Sequence, residues 1–436
     1  MKSPDFEQTI GIGTFFTDST GIGGKLRTCA EDFGVTELFL YPKKDDDGSF
    51  LIAEVSSKNW ENHRLVRELS KRLKISQKRI SFAGTKDKRA CSTQLMSFQG
   101  VTKEDVENII LNDVWIKNIY RSDKPIRLGS LLGNRFEITI RNIDQSVQPD
   151  QIDSIASVIH RNGGFPNYYG IQRFGVIRPI THLVGRHIMQ DDFESAVMAY
   201  IAHPMMGEPE HTYALREELE KTRDFSKALH SYPNTLNFEK AMLNRLVVDP
   251  DDFVGALQQL PKNLLLMFIN AYQSFLFNKM LSKRIHHHIP LHEAVVGDIV
   301  FPLRNNTLDD QPIKVNQVNI EKVNRQISKN KAVVTGLLVG YESVFSEGVM
   351  GNIEKDVIKD ENIDYRDFII PKIPFLSSKG SRRSLLAQVQ NIDWTLQQDS
   401  LQHDKQALCL RFELHKGCYA TSLLREFMKS EDATAY

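Results

Sequence analysis

The sequence predicts an α+β fold, and three observations carry that expectation. Short apolar runs with strand character are mixed with helical stripes, without the regular βαβα alternation of a doubly wound sheet. Strand character is dense near both ends of the 436 residues, while residues 191 to 285 are rich in helix. The chain is also too long for a single ordinary core, so two or three domains are expected.

The elements follow in order. Thr36 to Tyr41 and Phe50 to Val55 read as paired strands around the polar turn Lys43 to Gly48. Leu65, Leu69 and Leu73 stand four apart, which makes 62 to 73 a helix. Ile80 to Ala83 is a strand that ends at Gly84. Gln94 to Phe98 and Phe136 to Ile140 alternate as strands, with a helix over Lys103 to Leu111 between them. Gln151 to Asn162 is a helix stopped by Gly163 and Gly164. Beyond Arg178 the pattern predicts helices at 193–202, 213–222, 238–246 and 264–283, then polar strands and turns over 291–345, with turns at Arg304 to Asp310. Strand character returns near Gln388 and in Ala407 to Leu414, and a helix covers Ala420 to Met428.

Composition excludes several classes. Hydrophobic residues make up 41% and charged residues 25%, as expected of a soluble globular protein. Lys plus Arg and Asp plus Glu both number 55, so only local clustering of charge can point to a polyanion. Cys29, Cys91, Cys409 and Cys418 form no C-x-x-C pair and read as reduced thiols of a cytoplasmic protein. The N-terminus lacks the apolar core of a signal peptide, and the most apolar segment, Leu264 to Ile269, is far too short to span a membrane. His286, His287 and His288 are adjacent, so on a helix they point apart and read as a solvated end rather than a metal site.

Local charge is more informative. From Lys71 to Arg89 there are eight Lys or Arg and one acid, Asp87. Neighbouring cations favour an ionised carboxylate, and an ionised Asp can serve as nucleophile or base. The bland alternative is a turn residue beside Gly84. Further clusters stand at Phe165 to Gly175, where two Tyr and two Phe interleave with Arg173, at Arg127 to Phe136, and at Gly417 to Glu426, where Ala420-Thr421-Ser422 reads as a helix start and Arg425 follows. Aromatics beside Arg suit unstacked nucleotides, and a helix start can receive an anion. Each cluster also has a plain structural reading: a sealed loop, core packing from Phe136, or an ion pair between Arg425 and Glu426.

Taken together and in order, these segments resemble the TruD family of tRNA pseudouridine synthases. The resemblance rests on Arg27…Glu31-Asp32-Phe33, on Phe82 to Asp87, and on Leu128-Gly129…Gly133 to Phe136. It continues through Asn167 to Gly175, Ser274 to Asn278, and Tyr419-Ala420-Thr421…Leu424-Arg425-Glu426. It spans nearly the whole chain, and the extra length between residues 178 and 380 resembles the archaeal and eukaryotic branch.

The resemblance implies a mixed, largely antiparallel pseudouridine synthase sheet interrupted by an α+β insertion. The catalytic domain would be 1–166 and 389–436, with the insertion at 167–388. It implies isomerisation of uridine in tRNA, at position 13, by a monomer that needs no cofactor or metal. Asp87 would be the catalytic aspartate, and Arg27, standing where the family has a lysine, its partner. Asn134 would bond near it, Phe136 would stack on the flipped base, and Phe412 would close the pocket. Lys78, Arg79, Lys86, Lys88, Arg89, Arg173 and Arg425 would contact RNA. A non-catalytic RNA-binding protein on the same scaffold is the alternative. An RNA methyltransferase is disfavoured because no glycine-rich cofactor loop follows a strand.

Overall fold

The structure is a computed structural model that describes every residue except 305, 306 and 310. Strands run in chain order as β1 (Gly23–Lys25), β2 (Phe33–Phe39), β3 (Phe50–Lys58), β4 (Ile80–Phe82), β5 (Cys91–Gln99), β6 (Val114–Ser122), β7 (Leu131–Ile143) and β8 (Gly164–Pro166). They continue as β9 (Ile299–Arg304), β10 (Thr307–Leu308), β11 (Ile313–Lys314), β12 (Ala332–Leu338), β13 (Ser381–Ser384), β14 (Leu386–Gln398) and β15 (Gln406–His415). The expected turn at Arg304 to Asp310 includes residues 305, 306 and 310, which lie outside the described residues, while Thr307 and Leu308 pair back onto Arg304 and Leu303.

Internal contacts divide the chain into two units. One comprises Thr17–Phe165 and Ala387–Tyr436, the other Met1–Phe16 and Pro166–Leu386. The first 16 residues thus group with the middle of the chain, whereas the sequence reading counted them with the first catalytic segment.

The first unit is built on a ten-stranded mixed sheet in the order β6-β3-β5-β2-β7-β15-β14-β8, with β1 on β7 and β4 on β5. β2 and β5 run parallel, and the pairs flanking them are antiparallel. The expected pairing of Thr36–Tyr41 with Phe50–Val55 is not found, because β5 lies between β2 and β3. The connection between them is longer than the two to five residues typical of a hairpin, which leaves room for that insertion. On one face, Ile138, Ile140, Leu408 and Leu410 form a core with Ile152, Ile155 and Ile159 of the helix Pro149–Arg161 and with Leu423, Leu424 and Phe427 of the helix Ala420–Met428. The helix Asn62–Arg72 starts where the Glu61 carboxylate accepts from the His63 and Arg64 N–H groups, and it buries Leu65 and Leu69. The helix expected over 103–111 stops at Glu107, and β6 follows it as a strand that sequence alternation did not reveal.

The second unit packs helices around the long helix Lys262–His286 and carries a five-stranded antiparallel sheet, β10-β9-β12-β13 with β11 on β9. Asn278 in that helix accepts from the Tyr169 N–H at 2.9 Å and donates to the Tyr169 and Ile10 carbonyls at 3.0 Å each. The motif Asn167 to Gly175 is therefore used internally: Tyr168 and Phe174 are fully buried and take no part in an open aromatic platform. Among the described residues no helix is long and apolar enough to cross a membrane.

Candidate active site

Cross-strand pairing in the first unit sets the site out in rows. Directly opposed residues share a face of the sheet. One row is Val35, Phe136 and Phe412 on β2, β7 and β15, and the next is Glu37, Asn134 and Leu414. The Phe136 and Phe412 rings stack with centroids 5.2 Å apart at 22°. Phe33, one row away in the other direction, meets Phe136 edge-on at 6.4 Å.

Arg27 links this aromatic group to the carboxylate. Its guanidinium lies 4.0 Å above the Phe33 ring centroid, and Nη2 donates to Asp87 Oδ2 at 3.1 Å. Arg27 has φ of 55°, a left-handed backbone that is uncommon for a residue with a side chain. The Arg89 guanidinium donates to the Arg27 carbonyl at 3.3 Å, which helps hold that conformation. Behind it, Asp32 accepts from the Cys29 N–H at 2.9 Å and from Arg141 at 2.7 Å. Arg141 also reaches Asp399 at 2.7 Å, so the turn carrying Arg27 is tied to the sheet.

Asp87 itself is 56% exposed at its side chain, while Arg27 is only 14% exposed. A pair this open to water contributes at most about 1 kcal/mol to stability, so its effect is to aim the carboxylate rather than to hold the fold. The loop around it alternates fixed and free residues. Gly129 N–H donates to the Ala83 carbonyl at 2.8 Å and Asn59 N–H to the Ala90 carbonyl at 3.0 Å. Thr85, Asp87, Lys88 and Arg89 are exposed.

Lys86 is placed otherwise than expected. Its ammonium is buried against Glu37 Oε1 at 2.5 Å, with side-chain exposures of 5% and 1%. Its charge is neutralised inside the fold, so it is not a free cation for a phosphate. Arg425 is also buried and pairs with Glu426 at 2.5 Å, because its helix lies on the core face of the sheet. Lys78, Arg79, Lys88 and Arg89 are exposed. Arg173 belongs to the other unit, where its Nε donates to Ser274 Oγ at 3.4 Å and its guanidinium lies 5.8 Å from the Tyr169 ring centroid.

Asp87, Arg27, Phe136 and Phe412 are thus linked through direct contacts by way of Phe33. Asn134 shares the sheet face, but its buried Oδ1 has no hydrogen-bond partner among the described residues, and it makes no bond to Asp87 there. Sequence reasoning missed the parts played by Phe33 and Glu37. The signal was available: Phe33, Val35, Glu37 and Phe39 alternate, which puts a carboxylate on the inward face of a strand and demands a buried partner. Burial pushes the Cys29 and Cys91 thiols up, so neither nearby cysteine offers a thiolate. Among the described residues no cluster of His, Cys, Asp and Glu could hold a metal ion.

A mixed sheet carries the aromatic pair on one face, and loops beside it join one carboxylate to one guanidinium. A family profile described as tRNA pseudouridine synthase D (TruD) matches residues 9–427. Relatives include a "Probable tRNA pseudouridine synthase D" of Methanococcoides burtonii, 43% identical over 98% of both chains, and one of Methanosarcina mazei, 42% identical over 98% of both. A crystal structure of a TruD protein from Methanosarcina mazei superposes over 100% of both chains with a TM-score of 0.90 at 41% identity. The chain belongs to the TruD family.

Proposed function

We propose that this protein is an enzyme that isomerises uridine to pseudouridine in tRNA, at position 13, using the Asp87 carboxylate on a uridine flipped out of its stack. The N1–C1′ bond breaks and C5 joins C1′; the proton lost from C5 is balanced by one gained at N1. The carrying observation is the contact chain Asp87–Arg27–Phe33–Phe136–Phe412, drawn from four separate segments of sequence. In this reading the unit Thr17–Phe165 with Ala387–Tyr436 is catalytic, and Pro166–Leu386 is the insertion.

Each part has a task. Arg27 orients the carboxylate, since its planar fork fixes the direction of the hydrogen bond. Phe136 stacks on the uracil ring and Phe412 closes the pocket behind it, and stacking of about 1–3 kcal/mol offsets much of the cost of unstacking. Phe136 carries no hydroxyl, so its part is stacking rather than proton transfer. Asn134 offers an unmet acceptor on the same face. Lys78, Arg79, Lys88 and Arg89 contact phosphates, and Arg173 does so from the insertion. The enzyme acts as a cytoplasmic monomer.

The test is incubation with an unmodified tRNA transcript followed by mapping of pseudouridine. Product at position 13 with the native enzyme, and none with Asp87→Asn despite retained tRNA binding, is expected. Normal turnover by Asp87→Asn would overturn the assignment.

A further inference from the structure

Behind the exposed aspartate lies a buried polar cluster that no step of the reaction uses. Asn62, at the first turn of the helix Asn62–Arg72, is 2% exposed, and Gln94 on β5 is 0% exposed. Asn62 Nδ2 donates to the Gly84 carbonyl at 3.1 Å and to Gln94 Oε1 at 3.2 Å. Its Oδ1 accepts from the Lys86 backbone N–H at 3.3 Å and from Gln94 Nε2 at 3.3 Å. One amide therefore clamps the loop on both sides of Thr85, directly before Asp87. Glu37 completes the cradle, holding the Lys86 ammonium with Oε1 and accepting from the Leu95 N–H with Oε2 at 3.1 Å.

Burial of so many polar groups is costly unless all are satisfied, and a fully satisfied network specifies one geometry. A generic turn needs no such arrangement, since loops usually meet their hydrogen-bond needs with water at the surface. Here the two backbone groups flanking Thr85 are drawn inward onto side chains of a helix and a strand. The result is a rigid base from which the next residue, Asp87, projects into solvent.

We propose that Asn62 is a positioning residue of the reaction: paired with Gln94, it fixes the loop so that Asp87 meets Arg27 and the sugar in one orientation. The inference rests on the catalytic assignment of Asp87 made above. Asn62 touches neither substrate nor reacting atoms, and it acts through the backbone of Gly84 and Lys86.

The experiment measures the single-turnover rate constant on tRNA transcript with enzyme in saturating excess, so that the fraction of active molecules does not enter. Each variant is assayed well below its own unfolding midpoint. Asn62→Ala is expected to lower that rate constant about ten- to hundredfold, the loss typical of a catalytic group displaced by an ångström, with affinity for tRNA unchanged. A merely structural Asn62 would lower the midpoint and leave the rate constant at its native value, and that result overturns the proposal. Should Asn62→Ala fail to fold, Asn62→Asp serves: it keeps an acceptor for the Lys86 N–H but cannot donate to Gly84. A reduced rate constant in this variant supports the clamp, and a native one overturns it. Asp87→Asn run alongside separates the two readings: normal turnover there removes the catalytic assignment itself, whereas an inactive Asp87→Asn beside a native-rate Asn62 variant removes only the positioning role.

Discussion

Arg27 combines a left-handed backbone with two contacts of different physical origin, a cation–π contact with Phe33 and a charged hydrogen bond to Asp87. Lysine keeps charge but loses both the planar stack and the forked donor geometry. Arg27→Ala is expected to reduce turnover about ten- to hundredfold while tRNA affinity changes little, because orientation rather than docking is lost. Steady-state kinetics with separate kcat and KM check this. Phe136→Ala should behave similarly in turnover, but it also empties a packed position between Phe33 and Phe412. A loss of about 3–5 kcal/mol in unfolding free energy is expected from that core truncation, measured by denaturant unfolding. A Phe136→Ala variant of native stability would show that the ring contributes nothing to the sheet's packing.

At the scale of elements, the basic run divides into a buried and an exposed part. Lys86 is spent on Glu37, whereas Lys78, Arg79, Lys88 and Arg89 remain in water. If those four neutralise phosphates, the logarithm of tRNA affinity should fall with a slope of roughly −3 against the logarithm of salt. Filter binding between low and moderate salt checks the slope; Lys88→Ala should flatten it by about one unit or slightly less. A salt-independent affinity would remove the phosphate role from the whole run.

The same elements show what could be read in advance. The stripe of Leu65 and Leu69 marked its helix closely, since a single apolar face has an unmistakable period. The helix Ala420–Met428 matched its expected bounds. β6 escaped because its exposed Trp115 and buried Ser122 interrupt any apolar alternation. Pairing order was illegible, because nothing local records that β5 enters parallel to β2 and separates it from β3. In the site, the carboxylate and the aromatic residues stood out by type and order. The burial of Lys86 did not, since its partner Glu37 comes from a distant segment and leaves no trace beside it; the Arg425–Glu426 pair was legible as adjacent charges, but its burial was not.

On the scale of the molecule, stability should depend on pH through a histidine in the second unit. His182 is buried between Phe174 and Phe275, and burial lowers its pKa to about 4. The unfolded chain takes up a proton near the ordinary histidine value while the folded protein does not. Its stabilising effect is therefore complete above about pH 6.5 and is lost progressively as pH falls toward 4, by up to about 1.4 kcal/mol per pH unit from this group. Unfolding midpoints between pH 7 and 5 check the slope, which His182→Phe should reduce. An identical slope in that variant would assign the effect to other groups.

The strand β15 sits between β7 and β14, and it brings Phe412 to lie on Phe136 from 276 positions further along the chain. A ribosome making this protein must therefore translate through the entire intervening unit before the aromatic pair can close. Until then, the nascent β7 shows an unfilled hydrogen-bonding edge beside a half-covered apolar surface, a state that invites chaperone binding and penalises any premature stop in the final fifty codons.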